Sequence, residues 1–152
     1  MTDFASACAV MERQFGRDTV MSLATGVDND ISVRTVNAYY KDGFIYVVTQ
    51  TTTRKMKDIA RNPRVALCKD LFSARGLGEN LGSPKDNRAL ADELRVVFSA
   101  FYDRHVHEDN PETCILRIRL TDAVVFTDDA KYTIDFTAGS AIQTPFENDI
   151  VV

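Results

Sequence analysis

Thr49-Gln-Thr-Thr-Thr-Arg-Lys-Met-Lys-Asp-Ile-Ala-Arg-Asn-Pro63 is the most informative segment of this chain. An apolar, β-branched run that begins at Phe44 leads into it and is typical of a strand. Within the segment, three consecutive threonines, residues 51–53, and two cations precede an apolar i, i+3, i+4 pattern, which predicts a short amphipathic helix ended by Pro63. The apolar positions of this predicted helix are Met56, Ile59 and Ala60.

Two interpretations of this helix start are possible. The free N–H groups and the dipole of a helix N-terminus favour an anion, so Arg54 and Lys55 beside them are unfavourable unless an anion joins them. This favours a phosphate site. The alternative is a helix capped by Thr53 with both cations in solvent.

Size, charge and cysteine content define the general class of protein. The 152-residue chain fits one domain, residues 1–152. A net charge of −4 argues against a broad nucleic-acid surface, and no apolar run approaches the ~20 residues of a membrane span. The first residues lack a basic, apolar secretory signal. Three cysteines without a CxxC pair indicate free thiols in a reducing compartment. We therefore expect a cytoplasmic protein without nucleic-acid or membrane partners.

Apolar periodicity and turn residues predict the order of the elements. Helices are expected over residues 3–15, capped by Thr2 or Asp3, and over 86–102, capped by Asp86. Residues 137–152 show no clear period and are either disordered or packed on another subunit. The predicted strands cover residues 19–25, 31–40, 44–50, 64–68, 72–80, 113–126 and 131–136.

A two-residue hairpin at Asp42-Gly43 sets a strand register. If these residues form the loop, paired positions sum to 85, and Arg34 lies opposite Thr51. This register brings a third cation to the start of the short helix. Arg34 shares a strand face with apolar residues and therefore needs either an anion or an edge open to water.

Several other signals are weak. Gly76, Gly78 and Gly82 do not have the spacing of a dinucleotide-binding loop, and strand bulges or a curved strand explain them better. His105 and His107 lie in an acidic stretch without an evident third metal ligand, so a solvated loop is favoured and no metal is expected. Short strands with hairpin signals predict a mainly β fold, an antiparallel sheet closed into a small barrel.

An ordered set of motifs resembles the pyridoxamine 5'-phosphate oxidase-like, FMN-binding split-barrel flavoproteins. The clear part of this resemblance covers residues 20–67, and a weaker part includes Ser73-Ala-Arg-Gly76 and Tyr132-Thr-Ile-Asp-Phe136. The fold implied is an antiparallel split β-barrel of six to seven strands, of Greek-key type and flanked by helices. The motifs are Met21-Ser-Leu-Ala-Thr25, Val33-Arg-Thr-Val36, Asp42-Gly-Phe-Ile-Tyr46, Thr49, Thr53-Arg-Lys55, Ile59 and Asn62-Pro-Arg-Val-Ala-Leu67.

The resemblance also implies a cofactor, an assembly and a set of site residues. The cofactor is FMN, in a cleft between two subunits of a homodimer, with Arg34, Arg54 and Lys55 on its phosphate. Second-subunit contacts are implied near Phe72, Ser73 and Arg75. Catalytic residues are not identified. The implied FMN-binding residues are Arg34, Thr35, Val36, Asn37, Val48, Thr49, Thr53, Arg54 and Lys55.

Two departures from the family pattern argue against oxidation of pyridoxamine phosphate itself. Tyr39 stands where the authentic oxidase has a substrate-binding lysine, and Val48 replaces an expected tyrosine. The sequence therefore predicts an FMN-dependent oxidoreductase of unknown substrate with a small-molecule electron donor and acceptor. The alternative is a non-catalytic flavin-binding carrier, sensor or stress protein.

Overall fold

Eight antiparallel strands form the body of the protein. The computed structural model describes residues 2–146, and the last part of the predicted tail, residues 147–152, lies outside them. The strands are β1 (Thr19–Val27), β2 (Asp30–Lys41), β3 (Phe44–Gln50), β4 (Arg64–Lys69), β5 (Phe72–Asn80), β6 (Thr113–Phe126), β7 (Ala130–Asp135) and β8 (Ser140–Pro145). The helices are α1 (Asp3–Phe15), α2 (Arg54–Arg61), α3 (Arg88–Val97) and α4 (Tyr102–His105), with a 3-10 turn at Pro84–Asp86.

Six of these strands close into a barrel. The sheet order is β3-β2-β1-β4-β5-β6-β7-β8, and pairing of β3 with β6 closes the first six strands on themselves. Because β4 returns beside β1 after the β1-β2-β3 meander, the connectivity is a Greek key. The mainly β split barrel predicted from sequence is confirmed, with β7 and β8 added outside it. β8 lies in the region for which the sequence predicted no strand.

The barrel is split along one edge of β2. Three residue pairs join β2 to β3, ending at Tyr39 with Tyr46, in the predicted register that sums to 85. The first half of β2 pairs only with β1, where Arg34 lies opposite Leu23. The predicted pairing of Arg34 with Thr51 is therefore wrong. The strands diverge because β3 pairs along its whole length with β6.

Two helices complete the main core. Thr2 caps the start of α1, because its hydroxyl accepts the Ala5 N–H at 3.1 Å, and Gly16 caps the end of the helix as predicted. α2 packs against β1 and β5 and buries Met56 and Ile59. The prediction that Ala60 shares this buried face is wrong, since Ala60 is exposed and Asp58 is buried in its place.

A second apolar cluster covers the other side of β3. The predicted helix 86–102 is interrupted, because α3 ends at Val97 and α4 starts at Tyr102. Asn87, not Asp86, is the residue before α3, and its side chain does not cap the helix. The Tyr102 hydroxyl donates to Glu108 at 2.9 Å. The buried residues of this cluster are Tyr46, Ala91, Leu94, Phe98, Tyr102 and Ile115.

Candidate functional site

The start of α2, the end of β1 and the unpaired half of β2 meet at the split. Asn62, which follows α2, holds the helix in place because its side-chain N–H donates to the Gly26 carbonyl at 2.8 Å. At the other end of the helix, the Thr53 hydroxyl donates to the Gln50 carbonyl at 2.8 Å and makes no cap hydrogen bond. The proposed cap by the Thr53 side chain is therefore wrong, and the first N–H groups of α2 keep no partner from that side chain.

Arg34 is anchored by neutral oxygens. Its Nη1 donates to the Thr25 hydroxyl at 2.8 Å and to the Leu23 carbonyl at 3.3 Å, and its Nη2 donates to the Ser32 hydroxyl at 2.5 Å. A guanidinium has five N–H donors. These three hydrogen bonds therefore leave Arg34 with donors for a further acceptor.

A buried carboxylate lies next to Thr25, one of the hydrogen-bond partners of Arg34. Asp58 is 8% exposed, and its Oδ2 accepts the Thr25 hydroxyl at 2.7 Å. Since an ionised carboxylate only accepts, the Thr25 proton points to Asp58 and an oxygen lone pair remains for Arg34. Asp58, Thr25 and Arg34 thus form one directed hydrogen-bond chain.

Arg54 is already engaged by two acids. Its Nη2 lies 2.9 Å from Asp30 Oδ2, and its Nε lies 3.7 Å from Asp58 Oδ2, an i,i+4 pair. The Arg54 side chain is 53% exposed, so water screens both pairs and they are weak. Arg54 can exchange these partners for a ligand anion at small cost.

Lys55 is half-buried and has no acidic partner within 4 Å among residues 2–146. Burial lowers the pKa of Lys55, and the positive charge of Arg34 lowers it further. The pKa of Arg34 is lowered by burial and by Arg54, while Asp58 raises it. The geometry also links two of these cations, since Arg34 is joined through Thr25 and Asp58 to Arg54, the residue that precedes Lys55.

The other predicted site residues face in different directions. Val36 points into the barrel core, whereas Thr35 is exposed on the outer surface. Asn37 shares that outer face and donates to Asp18 at 2.9 Å. Because side chains alternate along a strand, one ligand cannot contact all of residues 34–37 through side chains.

The two predicted residues of β3 lie beside the second cluster. Val48 packs against the apolar residues of that cluster, and half-buried Thr49 lies opposite Cys114 in β6. Tyr39 also turns to this side, where its hydroxyl donates to Glu93 at 2.8 Å. Burial and Glu93 raise the pKa of Tyr39 to about 12.

Sequence reasoning missed the residues that position the cations. Asp58 could have been found, because it is the acid placed four residues after Arg54 in the predicted helix, a spacing that favours an ion pair. Thr25 gave no such signal, since its role depends on how closely β1 and α2 pack. Phe72 is buried against Phe15 with ring centres 4.4 Å apart, whereas Ser73 and Arg75 are exposed, and the implied second-subunit contact near these three residues stays a prediction.

Several other predicted features can be placed. His105 and His107 are exposed, and no group of metal-binding side chains occurs within residues 2–146. Within the same residues, no helix has the length and apolar character required to cross a membrane. Cys8, Cys68 and Cys114 are free thiols.

The fold is similar to those of several solved structures. It matches a FAD-binding protein from Mesorhizobium loti at 18% identity and a TM-score of 0.61, over 78% of this chain and 90% of that chain. It matches a candidate pyridoxamine 5'-phosphate oxidase from Listeria innocua at 15% identity and a TM-score of 0.58, over 79% and 94%. A heme-binding protein from Mycobacterium smegmatis matches at 15% identity and a TM-score of 0.64, over 91% of this chain and 60% of that one.

These likenesses define the fold class. No protein-family model matches the sequence, and a search of curated proteins gives no significant match. The structural neighbours include a FAD-binding protein and a candidate pyridoxamine 5'-phosphate oxidase, and this chain has the split-barrel fold that they share.

Proposed function

We propose that this chain is an FMN-binding flavoprotein that acts as an oxidoreductase. The observation that carries the proposal is the cation cluster at the split, formed by Arg34, Arg54 and Lys55. Lys55 is half-buried without an acidic partner among the described residues, and Arg34 keeps free N–H donors. Desolvated cations with unused donors fit a phosphate group, to which charge-assisted hydrogen bonds are strong.

The cofactor would bring the redox chemistry, and the protein would bind and orient it. In this proposal, Arg34 and Lys55 hold the phosphate and Arg54 leaves Asp30 to join them. The first N–H groups of α2 add a favourable dipole. The unpaired edge of β2 offers backbone groups of residues 35–37 to the ring system, which suits a strand whose side chains alternate between two faces. A small-molecule donor and acceptor would exchange electrons with the cofactor.

Pyridoxamine phosphate is not the proposed substrate. The position of the oxidase's substrate-binding lysine is held by Tyr39, whose hydroxyl is bonded to Glu93, which also pairs with Lys41 at 2.8 Å. Tyr39 and Lys41 thus both contact Glu93, and no lysine stands at the substrate-binding position of the oxidase. We therefore propose a substrate of a different chemical class, with part of its site supplied by the second subunit of a homodimer.

The first test compares two lysines of the same helix. Lys55→Met keeps the length of the side chain and removes its charge, while Lys57→Met makes the same change at an exposed position. We expect Lys55→Met to weaken FMN binding about ten- to a hundredfold, the effect of losing one hydrogen bond to a charged group. Lys57→Met should change it little. FMN fluorescence quenching during titration of the cofactor-free protein measures both.

Two results would contradict the proposal. Equal dissociation constants for the two variants would show that Lys55 does not contribute to FMN binding. The proposal that the cofactor is a flavin would be wrong if the purified protein carries heme or stays colourless with excess FMN. If FMN binds, its bleaching by a reduced nicotinamide and its reoxidation by a small acceptor distinguish an oxidoreductase from a non-catalytic carrier, sensor or stress protein.

A further inference from the structure

A second cleft lies at the opposite end of β3. It has a volume of about 410 Å³ and opens between α1, the β2–β3 hairpin and the end of β7. Phe44 at the start of β3 lines it, whereas the cation cluster follows Gln50 at the other end of that strand. At ~3.3 Å per residue, the two sites are about 20 Å apart. The cleft is therefore separate from the proposed FMN site.

Aromatic rings form the apolar walls of the cleft. Phe4 and Phe136 meet edge to face with ring centres 6.1 Å apart, and Leu120 lies beside them. One face of Phe44 is already covered by Arg117, whose guanidinium carbon lies 4.8 Å from the ring centre. The rings of Phe4 and Phe136 remain as surfaces for a flat apolar group.

The charges of the cleft are unbalanced. Glu12 and Asp42 line it together with one cation, Arg119. Among residues 2–146, no oppositely charged group lies within 4 Å of any of these three side chains. Two unpaired carboxylates against one guanidinium leave the cleft net negative.

The negative charge of Asp42 acts into the cleft. Asp42 is fixed in the hairpin turn with φ +51°, so its position does not depend on a flexible loop. Burial is the main cause of the raised pKa of Cys8 and of Tyr40, two other lining residues, and the charge of Asp42 adds a small increase to each. An ammonium group at this place would meet a carboxylate that has no cationic partner within 4 Å among residues 2–146.

We propose that this cleft binds a small aromatic amine. Its ring lies against Phe4 and Phe136, and its ammonium group lies between Glu12 and Asp42. Apolar pockets that orient a ligand through a few polar groups are the usual form of small-molecule sites. Aromatic faces near the ammonium add cation–π attraction. The excess of carboxylates selects against anionic analogues of the same shape.

The test uses the full chain as purified and two probes of equal shape. Titration calorimetry at neutral pH compares 2-phenylethylamine with 3-phenylpropionate. We expect saturable binding of the amine with a dissociation constant below about 1 mM and at least tenfold weaker binding of the acid. The amine should also slow alkylation of Cys8, which lines the cleft, as followed by mass spectrometry.

Charge-removing variants locate the amine. Asp42→Asn keeps a residue that tolerates a positive φ, and Glu12→Gln keeps the shape of a side chain on α1. Each should weaken amine binding about five- to tenfold, whereas Asp109→Asn, an exposed acid outside the cleft, should not. Absence of saturable binding, equal or tighter binding of the acid, or unchanged affinity in both cleft variants would overturn the proposal. If one variant fails to fold, the other variant and Cys8 protection still decide it.

Discussion

At the scale of single residues, the candidate site depends on a hydroxyl group. Thr25 is 2% exposed and joins Asp58 to Arg34 through two short hydrogen bonds. Removing the hydroxyl leaves a buried carboxylate short of one donor and lets the guanidinium move. Thr25 is therefore expected to position Arg34 without itself touching a ligand.

Replacement of Thr25 by valine tests this role. Thr25→Val keeps the shape of the side chain, and we expect a loss of about 1–3 kcal/mol in the free energy of unfolding. FMN affinity should fall as well, because Arg34 loses its fixed orientation. Thr19→Val is the matched control, since Thr19 is a buried β1 threonine whose hydroxyl donates to the Arg17 carbonyl at 3.0 Å. Urea unfolding and FMN titration are the measurements.

The two readouts separate positioning from general stability. Thr19→Val should lower stability by a comparable amount and leave FMN affinity unchanged in the folded protein. If Thr25→Val lowers stability but binds FMN as tightly as the unchanged protein, Thr25 has a structural role only.

Residue chemistry was predicted better than residue geometry. The sequence placed Arg54 and Lys55 at a helix start, and α2 begins at Arg54, because this signal belongs to one local segment. Arg34 was placed near them through a strand pairing that does not form. It reaches them instead through β1 and Asp58, a contact that arises only when the barrel closes.

At the scale of elements, two glycines of β5 determine how closely α2 and β6 approach this strand. A Cβ on Gly78 would lie 3.2 Å from Ile59 Cγ2, so the absence of a side chain lets α2 lie close to β5. A Cβ on Gly76 would lie 2.7 Å from the Arg119 carbonyl oxygen, at the point where the β5–β6 register shifts. Gly76 therefore lies at a bulge, as the sequence predicted, and Gly78 is a packing position that was not predicted. Gly82 lies after the end of β5 with φ +88°, so the bulge prediction is wrong there.

Gly76→Ala is expected to destabilise the barrel. The added methyl group meets backbone that is held in the β5–β6 ladder, so strands must separate, at a cost of about 1–3 kcal/mol. At Gly26 of β1 the same change meets Ile31 Cγ1 at 3.4 Å, an ordinary contact. Gly26→Ala should therefore change stability by less than about 0.5 kcal/mol. Thermal unfolding of both variants gives the comparison, and equal melting temperatures would show that the bulge relaxes freely.

Elements that local pattern defines were predicted well, and those that depend on tertiary contact were not. The end of α1 at Gly16 and the hairpin at Asp42-Gly43 follow from local chemistry. The break between α3 and α4 does not, because the apolar stripe continues through it and both parts pack on the same cluster. β8 has no strand pattern, since most of its residues are exposed and its pairing to β7 holds it in place.

At the scale of the whole molecule, the outer face of β1, β4 and β5 is the surface on which we propose that a second subunit packs. Small side chains line a shallow groove there, including Ala24, Ala66 and Cys68, and the exposed Val33 stands at its side. Thr35 lies next along the same face of β2, beside the split. A partner on this face would therefore also border the proposed FMN site, which agrees with the proposed homodimer that holds its cofactor between subunits.

A charge placed on this face is expected to separate the subunits. Val33 is 67% exposed and Ile142 on β8 is 65% exposed, so Val33→Glu and Ile142→Glu make the same change at similar accessibility. Val33→Glu should convert a dimer to a monomer, because burying an unpaired carboxylate is costly. Ile142→Glu should remain dimeric. Light scattering during size-exclusion chromatography gives the masses, against 17.0 kDa for one chain.

Cofactor binding then distinguishes the kinds of assembly. If FMN lies between subunits, the Val33→Glu monomer should also bind it more weakly, since it lacks contacts from the second copy. A monomer that binds FMN normally would place the cofactor within one chain. If the unchanged protein is itself monomeric, or if both variants remain dimeric, this face is not the dimer interface. Either result would rule out the assembly proposed here, because Thr35 and the split would then face solvent instead of a second subunit.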